Sequence, residues 1–249
     1  MSFANKVVIV TGGSSGIGAA TAIAFSAEGA HVVIVGRNEA KLDKVAQKCL
    51  DPLVIRADLT KDTDVKRIVE ETVKKFGQID VVVNAAGTAI GSGHLTDGGL
   101  MDHYEMIMGL NVRAVVYLTS LAAPHLVKTK GNVVNISSVV GRCTILLNTM
   151  IYNMSKAAID NFTICAAAEL GLLGVRVNAV SPGPVETDFL VNSEINSEWD
   201  DFKKKTLLKK VAQPEEVADL VLFLASSKAQ SITGSNYVVD GGVLCKSNV

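Results

Sequence analysis

Apolar residues come in short runs along the chain, separated by glycine-rich turns and amphipathic stretches. Val7-Val8-Ile9-Val10, His31 to Val35, Leu53 to Arg56, Ile79 to Val83, Asn132 to Ile136, Val175 to Val180 and Tyr237 to Val239 are such runs, most of them β-branched. Runs apolar throughout predict strands covered on both faces. Between them the period changes to that of a helix. Val65, Ile68, Val69, Thr72, Val73 and Phe76 fall on one helical face, and Gly77 ends that helix. Val217, Leu220, Val221 and Leu224 do the same after Pro214. An Ala-rich stretch to about Glu28 is predicted to turn Ile17, Ala20, Ala24 and Ala27 to one side. A polar helix is expected over Glu39 to Lys48, two segments over Leu100 to Leu110 and Val112 to Lys128 with Asn111 between or within them, and a long helix from Tyr152 to Leu172. The alternation never stops, and no Pro, Ser or charge linker divides it. One α/β domain over residues 1–249 follows, a doubly wound parallel sheet with helices on both faces.

Such a Rossmann-type sheet binds ligands outside the carboxyl ends of its strands. Polar or glycine residues stand just past each strand end: Gly12 to Gly18, Gly36-Arg37, Asp58, Asn84 to Gly87, Ser137-Ser138 and Pro182-Gly183. The first is a G-x-x-x-G-x-G turn between a strand and a helix, Gly12, Gly16 and Gly18 enclosing Ser14, Ser15 and Ile17. Glycines there let the backbone turn sharply and a pyrophosphate approach the N–H groups of a helix N-terminus. Tyr152 and Lys156 stand four apart on a helix, hence on one face. The helix carrying them starts from the loop after Ser138, so all three share an edge. A neighbouring ammonium is expected to lower the phenol's pKa from about 10.

Composition narrows the partners. The chain has 249 residues and a formal charge of −1, with nothing to suggest nucleic acid. No uninterrupted apolar run approaches the roughly 20 residues of a membrane span, and no secretory signal precedes the first strand. Cys49, Cys143, Cys165 and Cys245 are scattered without zinc or disulfide spacing. No metal site is expected. The thiols read as reduced, in a cytoplasmic-type compartment, mostly filling core space.

Taken together, Thr11 to Gly18, Asn84 to Gly87, Asn111, Ser138, Tyr152 with Lys156, Pro182-Gly183 to Thr187 and Asp240-Gly241-Gly242 resemble the short-chain dehydrogenase/reductase family, in its short single-domain branch, over nearly the whole chain. The sequence departs from the family pattern twice. Ser138 and Tyr152 are one residue further apart than usual, which a surface loop absorbs cheaply. Met154 replaces the alanine before Ser155 and is expected to point away from the Tyr–Lys face. Ser137 is the alternative serine, though it should face the opposite side of the strand.

The resemblance implies hydride transfer between a nicotinamide cofactor and a carbonyl–alcohol pair. Tyr152 is implied as general acid or base, with Ser138 on the substrate oxygen. Lys156 is implied both beside the phenol and on the nicotinamide ribose. Asn111 is implied to hold a relay water behind the lysine, with a helix cap or break as its other reading. Asp58 and Leu59 resemble the family's adenine-contacting pair. Asn84, Ala85, Ala86 and Gly87 are implied on the adenosine ribose side and also as stabilising the sheet, with Pro182, Gly183 and Val185 beside the cofactor and Thr187 on the nicotinamide amide. NAD-preferring relatives carry an acidic residue where this chain has Gly36 before Arg37. A guanidinium suits a 2′-phosphate, so NADP(H) is expected over NAD(H).

Residues 186–212 are expected to form a substrate lid, with Phe189, Leu190 and Trp199 as walls and 90–95 and 145–151 completing the pocket. Ile145, Leu146, Leu147, Met150 and Ile151 suit either a hydrophobic ketone or a subunit contact. Lys203-Lys204-Lys205 reads as a solvated helix face or, for a 3-ketoacyl thioester, a site for an acidic carrier. The resemblance further implies a homotetramer, with which the spacing of Ile159, Phe162 and Ala166 is compatible. The competing class is a regulatory protein that binds a dinucleotide without catalysis.

Overall fold

The computed structural model describes residues 3–90, 95–96, 98–145, 147–193 and 198–246. Leu146 and parts of the expected pocket loop (91–94) and lid (194–197) lie outside them. The elements run β1 (Val7–Thr11), α1 (Gly16–Ala27), β2 (His31–Gly36), α2 (Glu39–Ala46), β3 (Leu53–Arg56), α3 (Asp62–Phe76), β4 (Val81–Asn84), α4 (Tyr104–Met108), α5 (Ala114–Thr129), β5 (Asn132–Ile136), α6 (Met150–Gly171), β6 (Arg176–Pro182), α7 (Phe189–Asn192), α8 (Trp199–Lys205), α9 (Pro214–Ala225), β7 (Asn236–Val239) and α10 (Val243–Lys246). All neighbouring strands pair in parallel, in the order β3-β2-β1-β4-β5-β6-β7.

Successive strand residues point to opposite faces, and each face has its own core. Val7 and Ile9 pack with Val65 and Ile68 of α3, Leu118 of α5 and Ala166 of α6. Val8 and Val10 pack on the other side with Phe25 of α1, Leu42 of α2 and Val221 of α9. Chain order reverses between β1 and β4, where Thr11 pairs with Asn84. A crevice opens there by topology alone.

The helix from Tyr104 to Thr129 is continuous, with a π-helical stretch at Gly109–Arg113 where two segments were expected. The wider turn carries Asn111 inward, where it is buried. By length and composition this helix could cross a membrane, with a mean hydropathy of 1.5. Here Ala114, Leu118, Ala122 and Leu126 pack against the sheet instead, as a core helix.

Four expectations are corrected. The buried face of α1 is Gly18, Thr21, Ala22, Phe25 and Ser26, with Ile17, Ala20 and Ala24 only partly covered and Ala27 exposed. A stretch rich in alanine has no sharp apolar stripe, so the one large ring sets the face. Ile159 and Ala166 are buried within the chain and Phe162 packs on the core, because this side of α6 lies on the sheet. They are therefore not a free subunit surface. Cys49 and Cys143 are only partly buried, and Cys165 and Cys245 are exposed. The lid also contains more order than its charge suggests, in α7 and α8. A bridge between Val185 and Ala212 closes its base.

Candidate active site

Two adjoining cavities lie over the carboxyl ends of the strands. The first follows the glycine turn, lined by Gly12, Ser14, Ser15, Gly16 and Gly18, with Arg37 and Leu59 at one end and Thr187 at the other. The second holds Ser138, Tyr152 and Lys156, walled by Pro182, Gly183 and Val185 and by the lid. Ile17, Ala85, Gly87, Thr187 and Phe189 line both, so they form one continuous cleft.

The glycine turn is shaped by close approaches. Gly12 has φ +66°, and a Cβ there would stand 2.8 Å from the Ala86 nitrogen. A Cβ at Gly18 would stand 2.3 Å from the Gly12 carbonyl oxygen, which no side chain can tolerate. Thr11 fastens the turn to β4: its Oγ1 accepts from the Ala85 and Ala86 nitrogens at 3.1 and 3.2 Å. The first turn of α1 carries no acidic side chain, and Ser15 makes no side-chain cap. Its N–H groups therefore face the groove with the partial positive charge of a helix start. A pyrophosphate fits that environment, so the residues present suit a dinucleotide.

Arg37 lies at the far end of this groove, and a shallow pocket there brings it together with Arg56, Asp58 and Lys61. Asp58 accepts from the nitrogen and hydroxyl of Thr60 at 3.1 and 2.8 Å. The Thr60 hydroxyl, opposed by partial burial, holds its carboxyl below the usual range, with smaller help from Arg37 and Lys61. Glu39 pairs with Arg56, not with Arg37.

Asn84 does not line the cleft. It is buried, donating to Asn135 Oδ1 at 2.8 Å and Thr119 Oγ1 at 3.3 Å, and so ties β4 to β5 and α5. Of its two expected roles, the one in stabilising the sheet is borne out; its side chain is not on the ribose side, because it follows the sheet's alternation inward. Asn111 is also behind the wall. Its Nδ2 donates to the Thr88 oxygen and Ser155 Oγ, both at 2.9 Å, and its Oδ1 accepts from the Thr88 nitrogen at 2.8 Å. Ser155 Oγ in turn donates to the Tyr152 carbonyl at 2.7 Å. The side chain thus joins the loop after β4 to the first turn of α6. Gly87 lies between: a Cβ there would come 3.3 Å from Asn111 Oδ1 and 3.5 Å from Lys156 Nζ.

Ser138 and Ser137 separate as the strand alternation requires. Ser138 opens a 3-10 turn, Val139–Gly141; its hydroxyl donates to the Pro182 carbonyl and accepts from the Val140 nitrogen, both at 3.4 Å, and it lines the same cavity as Tyr152. Ser137 is buried and donates to the Lys156 carbonyl oxygen at 3.2 Å. Met154 is exposed, away from the Tyr–Lys face. Lys156 is buried, its Nζ donating to the Ile136 carbonyl at 2.8 Å and lying 5.6 Å from the Tyr152 ring centre.

Burial dominates the electrostatics. It pushes the Tyr152 phenol up to about 12, against the opposing hydrogen bond from Ser138. It pulls the Lys156 ammonium down to about 8, against the opposing charge of Asp160. The expected depression of the phenol by Lys156 is therefore not found. The ammonium is committed to a carbonyl, and desolvation of a phenolate outweighs its distant charge. Near neutrality Tyr152 is a protonated donor aimed into the cavity.

The cavity beyond it is mostly apolar. Phe189, Leu190 and Trp199 are walls, as expected, and Phe202 joins them. The Phe189 ring stands 5.8 Å from that of Tyr152, and Trp199 stands 5.7 Å from Phe202. Ile145 lines the cavity, Ile151 is buried beneath it, and Leu147 and Met150 are exposed. Lys203 and Lys204 pair with Asp200 and Asp201, while Lys205 donates to the Ile145 carbonyl at 3.1 Å. Thr11 was read only as the start of the glycine turn, and no role was expected of Ser155 or Phe202. The first two act through backbone bonds that no spacing signals, and the third only through the fold of the lid.

Residues 12–244 match the family described as enoyl-(acyl carrier protein) reductase. The chain is 37% identical over 244 residues to meso-2,3-butanediol dehydrogenase of Serratia marcescens, covering 97% of this chain and 96% of that one. It is 33% identical to the 3-oxoacyl-[acyl-carrier-protein] reductase of Thermotoga maritima over 98% of its own length and 100% of the relative's. A short-chain dehydrogenase/reductase of unknown function from Caenorhabditis elegans, crystallised with cofactor, superposes with a TM-score of 0.92 at 36% identity, covering 98% and 96% of the two chains.

Proposed function

The chain belongs to the short-chain dehydrogenase/reductase family, and from that premise we propose that it is an NADP(H)-dependent enzyme interconverting a hydrophobic ketone and a secondary alcohol. The observation that supports this most is the continuity of the cleft. A groove suited to a dinucleotide runs directly into an apolar cavity holding Ser138, Tyr152 and Lys156. The nicotinamide, when bound, supplies or accepts the hydride. The chain's own residues manage the oxygen. Ser138 donates to the carbonyl oxygen where negative charge develops. Tyr152 gives that oxygen a proton as the alcohol forms, and removes it in the reverse direction. Lys156, held by the Ile136 carbonyl close to Gly87, places a cation near the Tyr152 ring and would hold the nicotinamide ribose hydroxyls. Asn111 braces Thr88 and Ser155 behind it.

The substrate reading rests on the walls. Val139, Ile145, Leu190, Trp199 and Phe202 offer a carbonyl compound apolar contact and no counter-charge. A 3-ketoacyl thioester is the second reading, supported by the family description and by the Thermotoga maritima relative. The pairing of Lys203 and Lys204 with their own helix weakens it as an acidic-carrier site. Loss of NADPH absorbance with a panel of neutral ketones, diketones, sugars and 3-ketoacyl thioesters tests both. Turnover of neutral apolar ketones is expected. Exclusive turnover of thioesters would select the second reading, and binding without turnover across the panel would select a catalytically silent protein.

Cofactor choice is attributed to Arg37, which stands beside Arg56 and Lys61 with no carboxylate at Gly36. Replacing Arg37 with Ala should lower kcat/KM for NADPH about tenfold and leave NADH nearly unchanged. A wild-type preference for NADH would refute the assignment.

The 3-10 turn carrying Ser138 offers a second test. A Cβ at Gly141 would stand 3.0 Å from the Ala157 nitrogen and 3.1 Å from the Lys156 carbonyl carbon. Backbone cannot yield as a side chain does, so Gly141→Ala should lift the turn from α6 and move Ser138 off Tyr152. A displacement near 1 Å costs up to about 100-fold in rate. Steady-state kinetics should show a fall in kcat of about 10- to 100-fold, with cofactor affinity retained by fluorescence titration.

A homotetramer in the cytoplasm completes the proposal. Exposed Met106 of α4, Val116 of α5 and Ile164 of α6 supply apolar surface for it, and sedimentation would read it directly.

A further inference from the structure

Lys156 is a buried cation whose ammonium donates to a neutral carbonyl, that of Ile136. An ammonium in such a place needs a counter-charge or loses its proton. One helical turn beyond, on the same face of α6, stands Asp160. Its Oδ1 is buried and has no hydrogen-bond partner. Its Oδ2 lies 3.7 Å from Arg142 Nε, just beyond the 3-10 turn that carries Ser138. Gly141 brings that turn close: a Cβ there would be 3.2 Å from Asp160 Oδ2. Ser137 and Asn236, at the ends of β5 and β7, face the carboxylate as neutral groups, and the Asn236 carboxamide is itself without a partner. The charged groups facing Asp160 are Lys156 from its own helix and Arg142 from the opposing turn. Those facing Lys156 are Asp160 and, across the ring, the neutral Tyr152.

We propose that Asp160 is a positioning residue for Lys156. Its partly buried carboxylate, with one oxygen buried and without a hydrogen bond, supplies the counter-charge that holds the ammonium in the floor of the cleft, and Arg142, paired with the other oxygen, sets how much of that charge Lys156 receives. The directions of titration agree: Asp160 opposes the fall of the lysine, and burial pushes Asp160 up while Ser137, Arg142 and Lys156 pull it back. The role matters to the reaction through the catalytic reading of Lys156 given above, yet it can be tested without turnover.

The test is the titration of Lys156 in the protein alone, followed by the 13Cε signal of labelled lysine and assigned with Lys156→Met. In Asp160→Asn the Lys156 midpoint should fall by about half a pH unit or more, as expected when an opposite charge is removed. Asp160→Glu should restore most of it. Arg142→Gln should move it upward, because the carboxylate is then shared with no other cation. An unchanged midpoint in Asp160→Asn overturns the proposal, as does a downward shift in Arg142→Gln. If Asp160→Asn does not fold, the Arg142→Gln titration decides by its sign. In turnover, the alkaline limb of kcat/KM should move with the titration. A uniform loss with a fixed limb would mark Asp160 as merely structural. Loss of all activity in Tyr152→Phe concerns the catalytic reading, and leaves the Lys156 midpoint as an independent result.

Discussion

Tyr152→Phe is expected to lose about 100- to 10,000-fold in kcat, the range that a positioned acid or base contributes, while cofactor affinity stays within a few-fold. The phenol oxygen carries the proton that the scheme passes to the substrate oxygen. Ser138 and Tyr152 line the same cavity, and the Phe189 ring centre stands 5.8 Å from that of Tyr152. Burial has pushed the phenol up to about 12, so at neutral pH the proton is in place for reduction. In the oxidative direction the same shift opposes activity, because a phenolate must form. Oxidation should therefore rise with pH further into the alkaline range than an exposed tyrosine would allow. Removing only the hydroxyl keeps the ring against Phe189 and the shape of the cleft. A folded variant that binds NADPH and still turns over a ketone near the wild-type rate would end the proposed scheme.

The sequence carried the fold because a parallel sheet buried on both faces writes itself as repeated β-branched runs. Each glycine turn then marks a strand end. The edge shared by Ser138, Tyr152 and Lys156 followed from topology, without any coordinates. What stayed illegible was whatever depends on the third dimension. Asn84 looked like a groove residue, but its side chain follows the pleat inward to Asn135. Ile159 and Ala166 looked like an unpartnered stripe, but the stripe faces the sheet. The face of α1 could not be read because alanine is apolar all round, and Phe25 alone decides it. The i, i+4 rule placed Lys156 near Tyr152 correctly, yet it could not say that burial outweighs their mutual charge. Desolvation is a property of the whole enclosure, and no spacing encodes it. Asp160 escaped notice for the same reason, since only the packed turn at Gly141 covers part of its carboxylate.

Lys156→Met is expected to abolish most turnover, to weaken cofactor binding, and to lose stability relative to wild type as pH rises. The loss of function follows from the proposed roles of the cation beside the phenol and on the cofactor ribose. The stability effect follows from linkage. The Lys156 value is about 8 in the folded protein and 10.5 in the reference state. Below the folded value both states hold the proton, and the folded state bears the full cost of burying it. That cost is about 3 kcal/mol, from the standard equivalence of about 1.4 kcal/mol per pH unit. Between about 8 and 10.5 the folded state gives up its proton first, so the unfolded state binds more protons and wild-type stability rises with pH. Methionine carries no proton and gains nothing over that window. It also leaves the Ile136 carbonyl without its lysine donor, at a cost of about 1–3 kcal/mol that does not depend on pH. The offset between the two proteins is thus a small difference of opposed effects, but its slope is not. Melting temperatures of both proteins from pH 7 to 10 read that slope directly. The variant should compare best with wild type near pH 7 and fall behind by about 3 kcal/mol towards pH 10, or roughly 6–12 °C for a chain of this size. A difference constant across that range would mean that Lys156 titrates like a solvated lysine, and that its charge is not held against burial in the cleft floor.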